Sequence, residues 1–229
     1  MAQLAFRRAR TEENKRQRAA ALVEAARSLA LETGVASVTL TAVAGRAGIH
    51  YSAVRRYFSS HKEVLLHLAA EGWGRWSKTV CERLAEPGPM TPGRVAETLA
   101  NGLTADLLFC DLLANLHLHL EHEVEVERVI EIRRTIAEAA IALADAIERA
   151  LPALGRSGAF DILISSYSLA AAYWQIANPP QRLLDLYSEQ PELMPQEWKI
   201  EFAPALTRVL TATCIGLSCE SRLPEGDTK

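Results

Sequence analysis

Apolar side chains recur at intervals of three and four residues along most of the chain, which is the spacing of one buried face on an α-helix. The clearest case is the segment that ends at Leu151, where the apolar positions are Val129, Ile132, Ile136, Ala140, Leu143, Ile147 and Leu151. No stretch alternates apolar and polar residues for long enough to predict a strand. The pattern therefore predicts an all-α protein.

Glycine and proline cluster at a few places and separate the helical segments. Gly34 is predicted to end the first helix in the left-handed conformation, and Gly48 is predicted to form a tight turn at positive φ. The boundary within residues 117–126 stays open. The predicted helices cover residues 12–33, 40–47, 51–57, 61–85, 93–104, 106–121, 124–151, 158–178, 181–189 and 196–219.

Charge is divided unevenly along the 229 residues, which are enough for one or two domains. Residues 1–62 contain 11 Lys and Arg against 4 Asp and Glu, a net charge of +7, whereas residues 63–229 contain 14 against 24, a net charge of −10. We place the domain boundary between these parts. A basic head on an acidic body predicts DNA binding, because phosphate contacts need cations in one part only. The alternative is a basic solvated face without a partner.

The sequence predicts a cytoplasmic protein. Its first ten residues lack the apolar core of a signal peptide, and no run of 18 apolar residues is free of charge. The four cysteines form no C-x-x-C pair, which excludes a zinc ribbon and a thioredoxin-like motif. We therefore expect reduced, buried thiols in a protein that is neither exported nor membrane-spanning.

Residues 39–58 contain the most informative motif. Thr39 can cap a short helix through its hydroxyl, and Ile49 can fill the corner between two helices. The second helix is predicted to bury Val54 and Phe58, which are four residues apart. Its outward-facing side chains are then Tyr51, Ser52, Arg55 and Arg56. This is the geometry of a helix-turn-helix whose second helix lies in the major groove; an ordinary helical hairpin in a core is the alternative.

These residues resemble the tetracycline-repressor (TetR) family over about residues 16–68. The resemblance is carried by Ala-Ala-Arg-Ser-Leu-Ala-Leu-Glu-Thr-Gly at 25–34, Val-Ala-Gly-Arg-Ala-Gly-Ile at 43–49, Tyr-Phe at 57–58 and Ser-His-Lys-Glu-Val-Leu at 60–65. The rest of the chain resembles the family only as a helical domain of suitable length. The resemblance implies an N-terminal three-helix DNA-binding domain, residues 1–62, and a C-terminal helical domain for effector binding and dimerisation, residues 63–229.

The recognition helix departs from the usual family pattern. It begins with His50, Tyr51 and Ser52 where the family usually has Ser-Lys-Gly, Arg55 stands where Tyr is usual, and His61 stands where a phosphate-contacting Lys is frequent. Family contacts therefore cannot be copied at these positions. The candidate DNA-binding residues are Thr39, Thr41, His50, Tyr51, Ser52, Arg55, Arg56, Tyr57, His61 and Lys62.

A basic arm is predicted before the first helix. It contains Arg7, Arg8 and Arg10, and further cations follow on the first turns of the helix at Lys15, Arg16 and Arg18. Such an arm can enter a minor groove or add phosphate attraction, and a solvated tail without specific contacts is the alternative.

The histidine-rich segment 117–123 has the spacing of a metal site, because His117 and Glu121 are four residues apart, as are His119 and Glu123. Acidic residues continue beyond it, which suits a solvated face. We therefore predict no metal ligands and no cofactor. The alternative is a helical metal-binding or enzymatic module that uses His117, His119 and His122.

The resemblance also implies a hydrophobic effector pocket. Tentative ligand-binding residues are Trp73, Phe109, His119, Tyr173 and Trp174, although each can equally belong to the core or the dimer interface. No nucleophile elbow or ordered triad is present, so we predict that the protein is not an enzyme.

The overall prediction is a ligand-responsive repressor. A homodimer binds a palindromic operator, and the resemblance implies release by a small-molecule effector; an activator is the alternative. The predicted dimer interface lies on helices 158–178 and 196–219. Its faces are Ile162, Ser165, Ser166, Leu169, Ala170 and Tyr173, and Phe202, Leu206, Val209, Thr213 and Gly216.

Overall fold

The protein is built from α-helices. A computed structural model describes residues 2–88, 90–121, 124–195 and 199–220, with all their side chains except those of 2–12, 117, 118 and 220. No strand occurs in these residues, as predicted. The helices are α1 (Ala2–Thr33), α2 (Leu40–Ala47), α3 (Tyr51–Val54), α4 (His61–Leu84), α5 (Pro92–Thr104), α6 (Leu107–Asn115), α7 (Val126–Ala150), α8 (Gly155–Ala177), α9 (Gln181–Glu189) and α10 (Phe202–Glu220).

Several helix boundaries differ from the prediction, and α10, for example, begins at Phe202 instead of residue 196. α1 begins at Ala2, ten residues before the predicted start. The prediction of an arm separate from this helix is wrong, because residues 2–12 contain strong helix formers and neither glycine nor proline. The predicted helix 106–121 ends at Asn115 and continues as a π-helical turn over Leu116–Leu120.

The head consists of α1, α2, α3 and the first turns of α4. The body places α4 against α5, α6 and α7, and α8 against α5, α6, α7 and α10. The largest fully buried side chains among the described residues are Trp76, Phe109, Leu22, Leu65, Leu66, Leu68, Leu99, Leu103, Leu112, Leu116, Leu143 and Ile147. Because α4 packs against helices of both parts, its position sets the position of the head.

A second connection between head and body lies at the end of α1. The Val35 backbone N–H donates to Asp111 Oδ2 on α6 at 2.8 Å. The preceding Gly34 has φ 81° and ψ 155°, so its φ is positive as predicted but its ψ lies outside the left-handed helical region. The glycine therefore directs the chain toward α6 instead of ending α1 in the predicted conformation.

The outer faces of α8 and α10 differ from the predicted interface. Four predicted interface positions are completely buried within one copy of the chain and belong to its own core: Ile162, Ser166, Ala170 and Leu206. Ile164 and Ile215 are both 48% exposed. In the window Phe202–Cys219, α10 is long and apolar enough to cross a membrane by length and composition alone, yet only 28% of the window is buried. Seven of these 18 residues are exposed and six are half-buried, so this apolar helix is only partly covered in a single copy.

Candidate nucleic-acid interface

The first helix of the motif, α2, has defined caps at both ends. Thr39 Oγ1 accepts a hydrogen bond from the Ala42 N–H at 3.2 Å, as its predicted capping role requires. Gly48 has φ 65° and ψ 28°, which is the left-handed conformation predicted for it. The Gly48 N–H donates to the Gly45 carbonyl, and the Ile49 N–H donates to the Ala44 carbonyl at 3.0 Å. This Schellman arrangement fixes the turn between the two helices.

The recognition helix begins with a histidine cap. His50 Nδ1 accepts from the Ser52 N–H at 3.3 Å and lies 2.8 Å from Ser52 Oγ. α3 is regular only over Tyr51–Val54, and its end is shorter than predicted. The backbone then continues in hydrogen-bonded turns to Phe58, whose N–H donates to the Val54 carbonyl at 3.1 Å.

The faces of the recognition helix agree with the sequence pattern. Val54 is fully buried and Phe58 is 5% exposed, so both anchor the helix in the head. Tyr51, Ser52, Arg55 and Arg56 are exposed on the opposite side. A short helix with a buried back and a polar, cationic front can present hydrogen-bond donors to base edges and phosphates.

The other candidate residues surround this front. Thr39, Thr41 and His50 are exposed, and Tyr57 is half-buried. His61 and Lys62, also half-buried, stand in the first turn of α4, which is capped by Ser60 Oγ accepting from the Glu63 N–H at 3.2 Å. They therefore lie at a helix N-terminus, where backbone N–H groups favour anions.

A basic cleft joins α1 to the end of the recognition helix. It has a volume of about 350 Å³ and is lined by Asn14, Lys15, Arg18, Arg56 and Tyr57. Arg56 and Tyr57 were among the predicted DNA-binding residues, whereas the three α1 residues of the cleft were not. Lys and Arg at helical spacing near the N-terminus indicated phosphate attraction, but no sequence signal placed them beside α3.

Arg55 is held in place by the turn that follows α3. Its guanidinium donates to the Ser59 carbonyl. The Ser59 N–H and hydroxyl both donate to Glu63 Oε2 at 2.7 Å, and Glu63 is only 3% exposed. Arg128 Nε on α7 lies 3.5 Å from Glu63 Oε1. A continuous polar chain therefore links the recognition helix to the body.

Glu63 was missed as a functional residue, although Ser60 followed three residues later by Glu63 is the sequence signature of a capping box. The Glu63 carboxylate, however, accepts hydrogen bonds from Ser59, the residue before the capping Ser60. The partner Arg128 is 65 residues away and could not be found from local sequence.

The tentative ligand-binding residues do not come together. Trp73 and Phe109 are buried and pack edge to face, with ring centroids 5.9 Å apart, in a cluster that includes Trp76 and Tyr167. Trp73 Nε1 is buried and has no hydrogen-bond partner in the part of the chain that is described.

The other three lie elsewhere. Trp174 packs edge to face on Phe202 with ring centroids 5.8 Å apart. His119 is exposed in the π-helical turn. Tyr173 lines a cavity of about 670 Å³ between α8, α9 and α10, and none of the other four residues lines this cavity.

The histidine-rich segment is only partly described. His122 and Glu123 lie outside the described residues, as does the side chain of His117. Glu121 pairs with Arg133 of α7, with 2.8 Å between Oε2 and one guanidinium nitrogen. No group of three or more His, Cys, Asp and Glu side chains with metal-binding geometry occurs among the residues that are described.

Two family models match adjacent parts of the chain. Residues 22–68 match the model for bacterial regulatory proteins of the tetR family, and residues 70–221 match the model for the tetracyclin repressor-like C-terminal domain. No curated protein sequence matches significantly.

Solved structures of the same fold cover most of the chain. A transcriptional regulator of the TetR/AcrR family from Thermobifida fusca YX-ER1 has a TM-score of 0.51 at 16% identity, over 87% of this chain and 97% of its own. The fatty acid degradation regulator FadR from Bacillus halodurans has a TM-score of 0.52 at 15% identity, over 87% and 95%. FadR from Bacillus subtilis, in complex with stearoyl-CoA, has a TM-score of 0.50 at 14% identity, over 85% and 96%. At these identities the likeness shows the fold alone.

Proposed function

Because the chain belongs to the TetR family of bacterial transcriptional regulators, we propose that it is a ligand-responsive repressor that acts as a homodimer in the cytoplasm. Its helix-turn-helix binds a palindromic operator, and a small molecule in the body releases it. The observation that carries this proposal is the exposed polar front of α3 above the buried Val54 and Phe58. The protein needs no cofactor and has no enzymatic activity under this proposal.

Base contacts are assigned to the N-terminal part of α3, which enters the major groove first in this motif. Tyr51 and Ser52 are placed there, and Arg55 follows one turn later. Phosphate contacts are assigned to the rim, formed by Thr39, Thr41, Lys62 and the basic cleft at Lys15 and Arg56, because cations and helix N-termini bind phosphate without regard to sequence. The rim would fix the position of α3 in the groove.

Selection of binding sites from a random DNA pool tests the assignment. The parent protein is expected to enrich a palindrome, and Tyr51→Ala and Arg55→Ala each to weaken binding to it by about 5- to 150-fold, the equivalent of a lost base contact of ~1 to 3 kcal/mol. Arg94→Ala, which removes an exposed arginine of the body, is the matched control. If both head variants bind like the parent, the contact face is wrong, and Arg56 and Tyr57 become the next candidates.

The dimer is assigned to the uncovered faces of α8 and α10. A palindromic operator requires two heads related by a two-fold axis. α10 is apolar yet only partly covered in one copy, and Ile164 and Ile215 present branched side chains to solvent on neighbouring helices. Two such helices from each copy would form a four-helix bundle that covers this surface.

Light scattering of matched arginine variants tests the interface. Ile215→Arg is expected to give a folded monomer, because four-helix packing would bury the introduced charge. Ile141→Arg on α7 is the control, since Ile141 is also 48% exposed but lies outside the proposed interface. An intact Ile215→Arg dimer, or equal dissociation by both variants, would contradict the assignment.

The effector is assigned to the body. The complex of Bacillus subtilis FadR with stearoyl-CoA supports a small-molecule site in a protein of this fold. In this chain, Glu63 and Asp111 connect α4 and α6 of the body to the head. A ligand that moves either helix would therefore change the spacing of the two heads in the dimer, and a fluorescent operator fragment would report its release.

A further inference from the structure

Helix α9 stands away from the rest of the body. None of its residues is buried, and within the described chain its principal contacts are with the turn that follows it. Two adjoining cavities, of about 670 and 520 Å³, lie between α9, the end of α8 and the start of α10. They share the lining residues Ile176, Pro179, Tyr187, Met194 and Ile200, and we call the two together the α9 cavity.

The size and lining of the α9 cavity suit a small molecule with a long apolar part. Either volume falls within the range of about 300 to 1,000 Å³ that is usual for ligand pockets. Five residues are common to both cavities and four of them are aliphatic, while Tyr173 and Tyr187 add two aromatic rings. The apolar part of a ligand would cover these side chains and remove them from water.

Among the described residues that line the α9 cavity, the charged side chains are both positive. Arg208 lines one part and Lys199 the other, and none of these described lining residues is Asp or Glu. This is unusual in a body whose residues 63–229 contain 24 acidic against 14 basic side chains. Neither Arg208 nor Lys199 has an ion pair or a side-chain hydrogen bond with another described residue. Both cations are therefore available to an anion.

We propose that the α9 cavity binds an anionic amphiphile, with its apolar chain against Ile176, Tyr187 and Met194 and its carboxylate or phosphate at Arg208 or Lys199. A charge-assisted hydrogen bond to an arginine at the edge of an apolar space gives both affinity and a preference for anions. This inference rests on the proposed function, because it assigns the effector of the repressor to a place and a chemical class.

The position of the α9 cavity connects it to the proposed dimer. It lies at one end of α8 and α10, whereas Ile164 and Ile215 lie nearer the other end of the same helices. An amphiphile that draws α9 toward Tyr173 and Arg208 would press on the ends of both interface helices. The heads would then be displaced through the body without contact between ligand and DNA.

Calorimetric titration of the full-length protein with three C12 probes tests the site. Dodecanoate and dodecyl phosphate, below their aggregation concentrations, are expected to bind, and dodecylammonium is expected to bind at least about tenfold more weakly. The double variant Lys199→Gln/Arg208→Gln should lose at least about tenfold in affinity for dodecanoate. Arg182→Gln, which changes an exposed arginine on α9 that does not line the cavity, should bind like the parent.

Several results would overturn the inference. Equal binding of the anionic and cationic probes, or parent-like binding by the double variant, would remove the role of the two cations. Loss of probe binding in Trp73→Phe but not in the double variant would move the site to the buried Trp73 Nε1. Dissociation of the double variant into monomers would assign the cavity to the dimer interface.

The outcome for the site and the outcome for the repressor are separable. Calorimetry reports binding to the α9 cavity in the absence of DNA, and the fluorescent operator fragment reports release. Binding of the probe without release of the operator would support the site and contradict its effector role. Release by another ligand, unchanged in the double variant, would support the ligand-responsive repressor and contradict the assignment of its effector to the α9 cavity.

Discussion

The buried Glu63 side chain is expected to stabilise the junction between head and body. In Glu63→Ala, the Ser59 N–H and hydroxyl would lose their acceptor, and Arg128 would lose the buried one of its two carboxylate partners. An unsatisfied, partly buried donor costs about 1 to 3 kcal/mol. The cap of α4 itself is kept, because Ser60 Oγ accepts from the backbone N–H of residue 63. We therefore expect Glu63→Ala to lower the free energy of unfolding by about 1 to 3 kcal/mol.

Urea unfolding followed by circular dichroism at a fixed protein concentration measures this change. Glu63→Gln keeps one acceptor oxygen for Ser59 and is expected to cost about half as much. Glu131→Ala is the matched control: Glu131 also contacts Arg128, at 3.0 Å, but is exposed. Its loss should cost less than about 1 kcal/mol. The argument fails if Glu63→Ala unfolds within about 0.5 kcal/mol of the parent, the scatter of ordinary surface substitutions, or if Glu131→Ala costs as much.

Three further predictions concern the body and the junction. Gly72→Ala would place a methyl group inside the Phe109 ring and should cost about 1 to 3 kcal/mol in urea unfolding, whereas the new Cβ of a Gly74→Ala control would have no heavy atom within 4 Å. Burial raises the pKa of Cys110 to about 12 and that of Cys214 to about 11, so neither thiol should be labelled by a disulfide reagent at pH 8 until the protein is denatured; mass spectrometry would detect an exception. Burial lowers the pKa of His67 below 6.5, so its neutral form is favoured in the folded state and stability should fall as the pH drops below that value; a His67→Gln variant with an unchanged pH dependence of unfolding would refute this.

The helix-turn-helix was predictable because its determinants are local. The capping hydroxyl of Thr39, the positive φ of Gly48 and the four-residue spacing of Val54 and Phe58 all act within 20 residues, and each is found as expected. The conformation of Gly34 was not predictable to the same degree. Its ψ is set by the hydrogen bond from Val35 to Asp111, a contact across 76 residues that no local pattern contains.

The candidate ligand residues could not be located from sequence for a different reason. An aromatic side chain contributes the same apolar area to a packed core as to a pocket, so composition does not distinguish them. Trp73 and Phe109 pack against each other above Gly72, which lets the Phe109 ring approach the α4 backbone. Tyr173 lies at the open end of α8 because α9 fails to cover it. Whether an aromatic side chain belongs to the core or lines a pocket therefore depends on where a neighbouring helix ends, which is a property of the tertiary fold.

The same distinction applies to Arg55 at the proposed DNA interface. Its exposure was predictable from the spacing of Val54 and Phe58, but its bond to the Ser59 carbonyl was not. That carbonyl belongs to the residue whose N–H and hydroxyl are held by Glu63, and Glu63 in turn contacts Arg128 of the body. An arginine restrained in this way loses less conformational freedom on binding than a free one. The body therefore influences the recognition helix in two ways, by packing α4 against the helices of the head and by holding the Ser59 residue whose carbonyl orients Arg55.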